Sequence, residues 1–513
     1  MAARFCFLVA ILLAGLLDSA IAVEQRSDAA APVESGLRLN EAMILLDYQV
    51  IRVVGDDPID LMGFHVVNRV ADGLYVGAGL FAPLVKGVYG GFTAYDISAH
   101  VQRRLTAQLF ATAGLSLGGG AGGRSTENAK ALSGTGAFYK ASVGLGYDLG
   151  DFSIGLNVSK MKFMRSAIDG SQANLFLQVP FNYLTGPIGS HGQRLSPVEA
   201  SQAAEASTER MLTLVFDNFK QLSPEGSYKG TFNIADLQFA QYFARDSYWY
   251  AGLGVGYRGM PLYNQVMGGL GQRVRLSPQF TLYGQLGIGS GGFAPDKINT
   301  DAGLLVYPRL VGEYALTKDL GLSLSAGYLA APKGSSKNLS FGLGLTRHLR
   351  TGDVPSAASD TAGSPTYQGF RVSLFQQTES SQRFIGIDRG SLKLIGIQAE
   401  AIINERWYLP LQASVAYSTY LGYPGYGELL AGIGVQSLGG GRERLQAFGE
   451  LMAGTNVHGL AVKGGAGFRY GLSDRAALRV TAGHIEARSK AGNRFTANSL
   501  SLGFDYLFSL PTW

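Results

Sequence analysis

Apolar and polar residues alternate along most of the chain with a period of two. In residues 320–327, the leucines and alanines at even positions alternate with glycines and serines at odd positions, and residues 339–346 repeat the pattern. This alternation predicts β-strands with one apolar face and one small or polar face. A soluble sandwich would show the same period, so alternation alone does not place the chain in a membrane.

The alternating pattern occurs in three copies, each of which predicts about eight strands. The copies match best in their fifth to seventh strands: 109–115, 141–147 and 154–158 in the first, 282–288, 310–314 and 322–326 in the second, and 447–451, 466–470 and 478–482 in the third. Solenoid repeats recur every 20–50 residues or so, a much shorter period. Each copy is therefore expected to be a closed unit, and the fold class is all-β.

The copies are assigned to residues 36–184, 209–350 and 367–513, with linkers at 185–208 and 351–366. The first linker contains Ser196-Pro197-Val198-Glu199, an N-cap followed by proline and a capping-box glutamate, which predicts a short helix. The second linker is rich in Pro, Ala, Ser and Asp and is predicted to be flexible.

Residues 1–22 have the parts of a secretory signal peptide: Arg4, an apolar stretch at 5–17, and the small-residue cleavage site Ala20-Ile21-Ala22. Residues 23–35 would then form a periplasmic N-terminal segment. The single cysteine, Cys6, lies within the signal peptide, so the mature chain is expected to have no disulfide and no thiol chemistry.

Composition and connections favour a membrane barrel. The chain is 46% hydrophobic with 71 glycines, yet no long apolar run follows the signal peptide. Tight connections at 71–73, 245–247 and 404–406 contrast with longer ones at 118–134 and 289–299, as do the periplasmic turns and extracellular loops of outer-membrane barrels. Aromatic residues begin the third strand of each copy, as in a headgroup girdle: Tyr75, Trp249, Tyr250, Trp407 and Tyr408.

The last predicted strand, Ser501 to Phe508, resembles the C-terminal β-signal of bacterial outer-membrane barrels. Ser501, Gly503, Tyr506 and Phe508 match that pattern, and the chain closes on the aromatic Trp513, although five residues follow the motif. The resemblance implies insertion into the cell outer membrane by the barrel assembly machinery. The strand pattern then places both mature termini in the periplasm, with outer-membrane lipid as the surrounding partner.

Charged residues of the second and third copies fall on the faces opposite the apolar ones. A cation on the lipid face near the midplane costs about 2–4 kcal/mol, so this placement predicts inward charges that brace the interior as ion pairs or line a solute path. The predicted inward charges are Asp217, Asp236, Arg273, Arg275, Arg309, Glu313, Glu400, Lys463, Arg469 and Arg479.

The three copies can close as tandem eight-stranded barrels or fuse into one 24-stranded barrel. Eight strands enclose a space that side chains fill, whereas much larger barrels hold a channel or a plug. The inward faces are rich in glycine and serine, and no segment is long enough to form a plug. We therefore favour tandem eight-stranded barrels.

Enzymatic and metal chemistry have little support. His484, Ser489 and Asn493 loosely resemble the His/Ser pair of outer-membrane lipid A deacylases, but the serine follows the histidine by five residues instead of two. The histidines show no metal-ligand spacing, so no catalytic, cofactor or metal residues are assigned. The net charge of +5 is dispersed, which argues against nucleic acid as a partner.

The expected function is a non-enzymatic structural or interaction role: a scaffold that displays short loops such as 421–427, with Tyr423 and Tyr426, to an envelope or surface protein. The alternative is a porin-like channel or export pore. A lipid A-modifying enzyme is a distant third.

Overall fold

The computed structural model describes residues 36–121, 136–164, 166–187, 189–206, 209–222, 230–260, 263–292, 298–317, 320–350, 365–418, 426–438, 444–489 and 491–512. The predicted signal peptide, the N-terminal segment and most of the second linker lie outside these residues. Within the described part of the chain, no helix is both long and apolar enough to span a bilayer.

Barrel 1 is an antiparallel meander closed by its first and last strands. Its strands are β1 Arg38–Ile51, β2 Ile59–Ala71, β3 Leu74–Ala82, β4 Thr93–Arg104, β5 Leu109–Ala121, β6 Ala137–Asp148, β7 Ser153–Phe163 and β8 Asp169–Thr185. Pairing of β1 with β8 runs from Arg38–Thr185 to Tyr48–Leu175 and leaves no open edge.

Barrel 2 follows a helix, α1 Pro197–Ala206, in the first linker. Its strands are β9 Arg210–Gln221, β10 Thr231–Tyr242, β11 Ser247–Arg258, β12 Asn264–Arg275, β13 Phe280–Gly292, β14 Leu304–Ala315, β15 Leu320–Ala330 and β16 Lys337–Arg350. Strand β16 pairs with β9 and closes this barrel in the same way.

Barrel 3 contains β17 Thr366–Phe384, the two-residue β18 Ile387–Asp388, β19 Leu392–Ile402, β20 Trp407–Ala416, β21 Gly427–Gln436, β22 Leu445–Asn456, β23 Gly459–Gly471, β24 Ala476–Arg488 and β25 Arg494–Thr512. Strand β17 pairs with β25 from Thr366–Thr512 to Phe384–Phe495. The prediction of tandem eight-stranded barrels is therefore confirmed. The single 24-stranded barrel is wrong, because each first strand hydrogen-bonds to the last strand of its own copy.

The alternation separates two faces as predicted. On β15, Leu324 is 66% exposed while its neighbour Ser323 is 2% exposed. Because a strand turns successive side chains to opposite faces, the leucines line the outside of each barrel and the polar residues line the inside.

One end of each barrel, which we call the turn end, carries most of the tight connections, and the loop end carries most of the longer ones. Barrel 3 departs from this rule: the connection 437–444 lies at the turn end, and the two-residue connection 457–458 lies at the loop end. Several turns share a sequence motif. An outward apolar residue is followed by Ser, Thr or Asn, whose side-chain oxygen accepts a backbone N–H three residues later. Exposed apolar residues at these turns include Leu105, Leu276, Leu316 and Ile403. This turn motif recurs in all three barrels, which supports their common origin as copies of one unit.

The first linker is bound to barrel 3. Helix α1 has the predicted capping box, since Ser196 N donates to Glu199 Oε2 (2.8 Å) and Glu199 N donates to Ser196 Oγ (3.3 Å). Burial raises the pKa of the Glu199 carboxyl, but the hydrogen bonds from Ser196 outweigh it and the net pKa is lowered. The linker and β17 exchange backbone hydrogen bonds: Gly192 N donates to Tyr367 O at 2.8 Å, and Tyr367 N donates to Gln193 O at 3.0 Å.

The barrels also touch one another near their loop ends. Gly90 N of barrel 1 donates to Asp301 O of barrel 2 (2.9 Å), and Thr455 Oγ1 of barrel 3 donates to Gly256 O of barrel 2 (3.2 Å). A Cβ placed on Gly119 of barrel 1 would lie 2.9 Å from Cβ of Tyr417 in barrel 3. Glycine therefore permits the close approach of these walls, and each barrel contacts both others.

Candidate functional site: the barrel interiors

The interior of barrel 3 is built around one buried carboxylate. Glu400, on β19, is 0% exposed and accepts hydrogen bonds from the guanidinium groups of Arg371, Arg469 and Arg479. The nearest atoms of Arg469 and Arg479 lie 2.7 and 2.9 Å from Glu400 Oε1. Inward positions on four strands supply these residues, because the closed meander turns every second side chain toward one axis.

The three arginines are balanced by three carboxylates. Arg479 also donates to Glu450 at 2.7 Å, and Arg469 Nε donates to Asp505 Oδ2 at 2.9 Å. The ring of Phe448 lies 4.1 Å from the Arg469 guanidinium carbon and 4.6 Å from that of Arg479. Charges taken out of water are tolerated only when paired in this way, so the cluster braces the barrel and leaves no net charge to attract a solute.

A second polar group in barrel 3 lies closer to the loop end. Lys463 Nζ donates to Gln377 Oε1 at 2.7 Å and lies 3.7 Å from Glu428 Oε2. The hydroxyl of Tyr426, which is 0% exposed, donates to Glu428 Oε1 at 2.9 Å. The expectation that Tyr426 is displayed on a surface loop is therefore wrong, because the ring turns inward to satisfy a buried carboxylate. Tyr423 lies outside the described residues.

In barrel 2 the charges form two groups. At mid-height, Arg309 lies 3.4 Å from Asp217 and donates to Gln238 at 2.7 Å, close to the buried Asp236. At the turn end, Arg273 pairs with Glu209 at 2.7 Å.

Glu313 belongs to the same turn-end group of barrel 2, where it lies 2.7 Å from His348 Nε2. Arg275 differs from the prediction: it is exposed, because it is the last residue of β12 and extends beyond the rim. The other nine predicted inward charges are buried.

Barrel 1 has a polar interior that the sequence analysis did not single out. Lys140 on β6 pairs with Asp47 on β1, and His65 Nε2 lies 3.0 Å from Asp96. These four residues are each 6% exposed or less. The sequence did contain a signal for these residues. Asp47 and Lys140 lie in segments where inward and outward residues alternate as they do in the other copies.

Small cavities lie among these side chains. One in barrel 1, beside His65, His100 and Lys140, and one in barrel 2, beside Arg309 and Glu313, each have a volume of about 20 Å³. That is room for one or two water molecules. Within the described residues, no group of three or more His, Cys, Asp or Glu side chains is arranged to hold a metal.

The residues of the predicted β-signal lie on β25. Ser501 and Gly503 face inward, whereas Tyr506 and Phe508 face outward with ring centroids 6.2 Å apart. Trp513 lies outside the described residues. The role of these residues in assembly stays a prediction.

The proposed enzyme residues do not converge on a pocket. His484 is on the outward face of β24, with Nδ1 2.8 Å from Asn498 Oδ1. The hydroxyl of Ser489 accepts the backbone N–H of Asn493 at 3.1 Å within the hairpin.

Comparison with known proteins gives little beyond the architecture. No family model and no curated protein matches the chain. Solved structures similar to it include the siderophore receptor PirA from Pseudomonas aeruginosa (10% identity, 93% of this chain and 81% of that one, TM-score 0.26). Others are the KdgM porin (8%, 57% and 98%, TM-score 0.15) and the NanC porin (10%, 57% and 98%, TM-score 0.17). These similarities are too low to transfer a function.

The class of protein follows from the geometry itself. The strands pair into closed rings, and the outward faces carry exposed leucine, isoleucine, valine and phenylalanine side chains. Closed barrels with an apolar outer face are the transmembrane barrels of bacterial outer membranes. The chain is an integral outer-membrane protein made of three such barrels.

Proposed function

We propose that this protein is a non-conducting, non-enzymatic scaffold of the outer membrane. The observation that carries this proposal is the burial of the inward charges: Asp217, Asp236 and Glu400 are 0% exposed, and Arg309 and Arg469 are 4% and 3% exposed. Charges that line a water-filled lumen would be accessible to solvent. Here Arg309 is paired with Asp217 and Arg469 with Glu400, while Asp236 accepts a hydrogen bond from Gln238, as in a filled interior.

The contacts between barrels support the scaffold role. Three rigid units joined through hydrogen bonds near their loop ends present a broad combined surface, whereas one eight-stranded barrel presents a narrow one. Such an assembly suits the binding of envelope or surface proteins, and we propose these as its partners. His484 hydrogen-bonds to Asn498 and Ser489 to Asn493, so these contacts give no support to a His/Ser pair that acts on lipid A.

The purified full-length protein should give no stable single-channel conductance in planar lipid bilayers. The reason is that the cavities of barrels 1 and 2 each hold one or two waters and that buried ion pairs cross the interior of barrel 3, so an ion would have to displace buried ion pairs. A general porin reconstituted in parallel serves as the positive control. Large, long-lived conductance steps that scale with protein concentration would contradict the scaffold role and favour the channel.

A further inference from the structure

Exposed cations recur at the loop end of the same hairpin in all three barrels. They are Lys160 and Lys162 on β7, Lys333 and Lys337 in the β15–β16 hairpin, and Arg488 and Arg494 on β24 and β25. We call them the loop-end cation pairs. All six side chains are on the surface, with Arg488 71% and Arg494 61% exposed.

In barrels 1 and 3 a single carboxylate holds the two cations together. Asp169 pairs with Lys160 and with Lys162, the latter at 2.6 Å. Glu486 lies 3.3 Å from Arg488 and 2.7 Å from Arg494. Each of these groups keeps one excess positive charge. Within the described residues, no carboxylate is within ion-pair distance of Lys333 or Lys337.

The height of the pairs matches the upper edge of the lipid-facing band. A step of two residues along a strand tilted by about 40° raises a side chain by roughly 5 Å. Lys162 is therefore about 20 Å above Ile154, and Arg488 is about 25 Å above Leu478, which are exposed apolar residues near the turn end. The apolar band of an outer-membrane barrel is about 25 Å tall, so Arg488 stands at its upper edge, and the long side chain of Lys162 can carry its ammonium group to the headgroup layer.

We propose that the loop-end cation pairs bind the phosphate groups of phosphorylated lipid headgroups in the outer leaflet. Arginine and lysine are the side chains that bind phosphate oxygens, and paired cations can hold one phosphate between them. The long side chains lie over the apolar wall and carry their charged ends to the headgroups. This inference goes beyond the proposed scaffold role and names the lipid that surrounds the barrels.

The test compares binding of diphosphorylated lipid A and chemically dephosphorylated lipid A to the full-length protein, counted as retained lipids by native mass spectrometry from a neutral detergent. The wild-type protein should retain the phosphorylated lipid preferentially. Each double substitution, Lys160→Ser with Lys162→Ser or Arg488→Ser with Arg494→Ser, should weaken that binding by about fivefold per cation removed.

Two matched variants separate phosphate binding from general charge or misfolding. Arg52→Ser with Lys86→Ser removes two exposed cations from loop-end connections instead of strand walls and should leave binding unchanged. Asp169→Asn, which frees both lysines of barrel 1, should strengthen binding, an effect that unfolding cannot produce.

Equal retention of the phosphorylated and dephosphorylated lipids would overturn the inference, and so would an equal loss in the Arg52 and Lys86 control. Neither result bears on whether the barrels conduct. Channel steps in a planar bilayer would overturn the scaffold role instead and leave phosphate binding intact.

Discussion

Replacing Glu400 by glutamine should destabilise barrel 3 by about 3–5 kcal/mol, because removing one member of a buried ion network leaves the others uncompensated. Glu400 accepts hydrogen bonds from three buried arginines, and one negative charge less leaves the cluster with a net positive charge. The measurement is the urea midpoint of the folded, fast-migrating form on unheated gels.

The control for this change is Glu405→Gln, which removes the same charge from an exposed turn five residues away and should leave the midpoint unchanged. Combining Glu400→Gln with Arg371→Met should restore part of the lost stability, since the cluster regains its charge balance. If Glu400→Gln behaves like Glu405→Gln, the interior of barrel 3 is solvated and the account of a filled barrel fails.

The arginine substitution Leu324→Arg should prevent efficient assembly of barrel 2. Leu324 is 66% exposed on the outward face of β15, and an arginine on the lipid face costs about 2–4 kcal/mol near the midplane. The conservative control Leu324→Met should assemble normally. Heat-modifiable gel mobility and protease protection of the membrane fraction report the outcome.

The neighbouring substitution Ser323→Arg tests the inner face. Ser323 is 2% exposed, and a Cβ on Gly344 would already lie 2.5 Å from its hydroxyl, so a larger side chain would overpack the wall. We expect Ser323→Arg to impair assembly as well. Normal assembly of Leu324→Arg would mean that the outward face does not meet lipid.

The fold could be predicted because its signals are local. Strand period and turn residues such as Ser277 and Asn404 act over a few residues, and the threefold repeat is found by comparing one copy with another. All three can therefore be seen without knowing the closure. Closure of each barrel depends on the pairing of residues as distant as Arg38 and Thr185. The sequence favoured closure within each copy only through the length and composition of the copies.

The interior was only partly predictable. Alternation identified which residues face inward, but it could not show which charges meet, because four strands lie between those that carry Glu400 and Arg479. Prediction from alternation failed at strand ends. Arg275, the last residue of β12, was predicted to face inward and is exposed, whereas Tyr426, in a predicted surface loop, is buried. The contacts of the first linker with β17 had no sequence signal beyond the helix cap.

The most direct test of three separate closed barrels is the folding of the third copy alone. Residues 367–513, fused to a signal peptide, should be found in the outer membrane as a heat-modifiable, protease-resistant species, because β17 and β25 pair with each other and leave no unpaired backbone in lipid. A matched fragment that ends at residue 488 lacks β25, has two open edges, and should be degraded. Degradation or aggregation of both fragments, while the full chain assembles, would contradict the separate closure of the barrels.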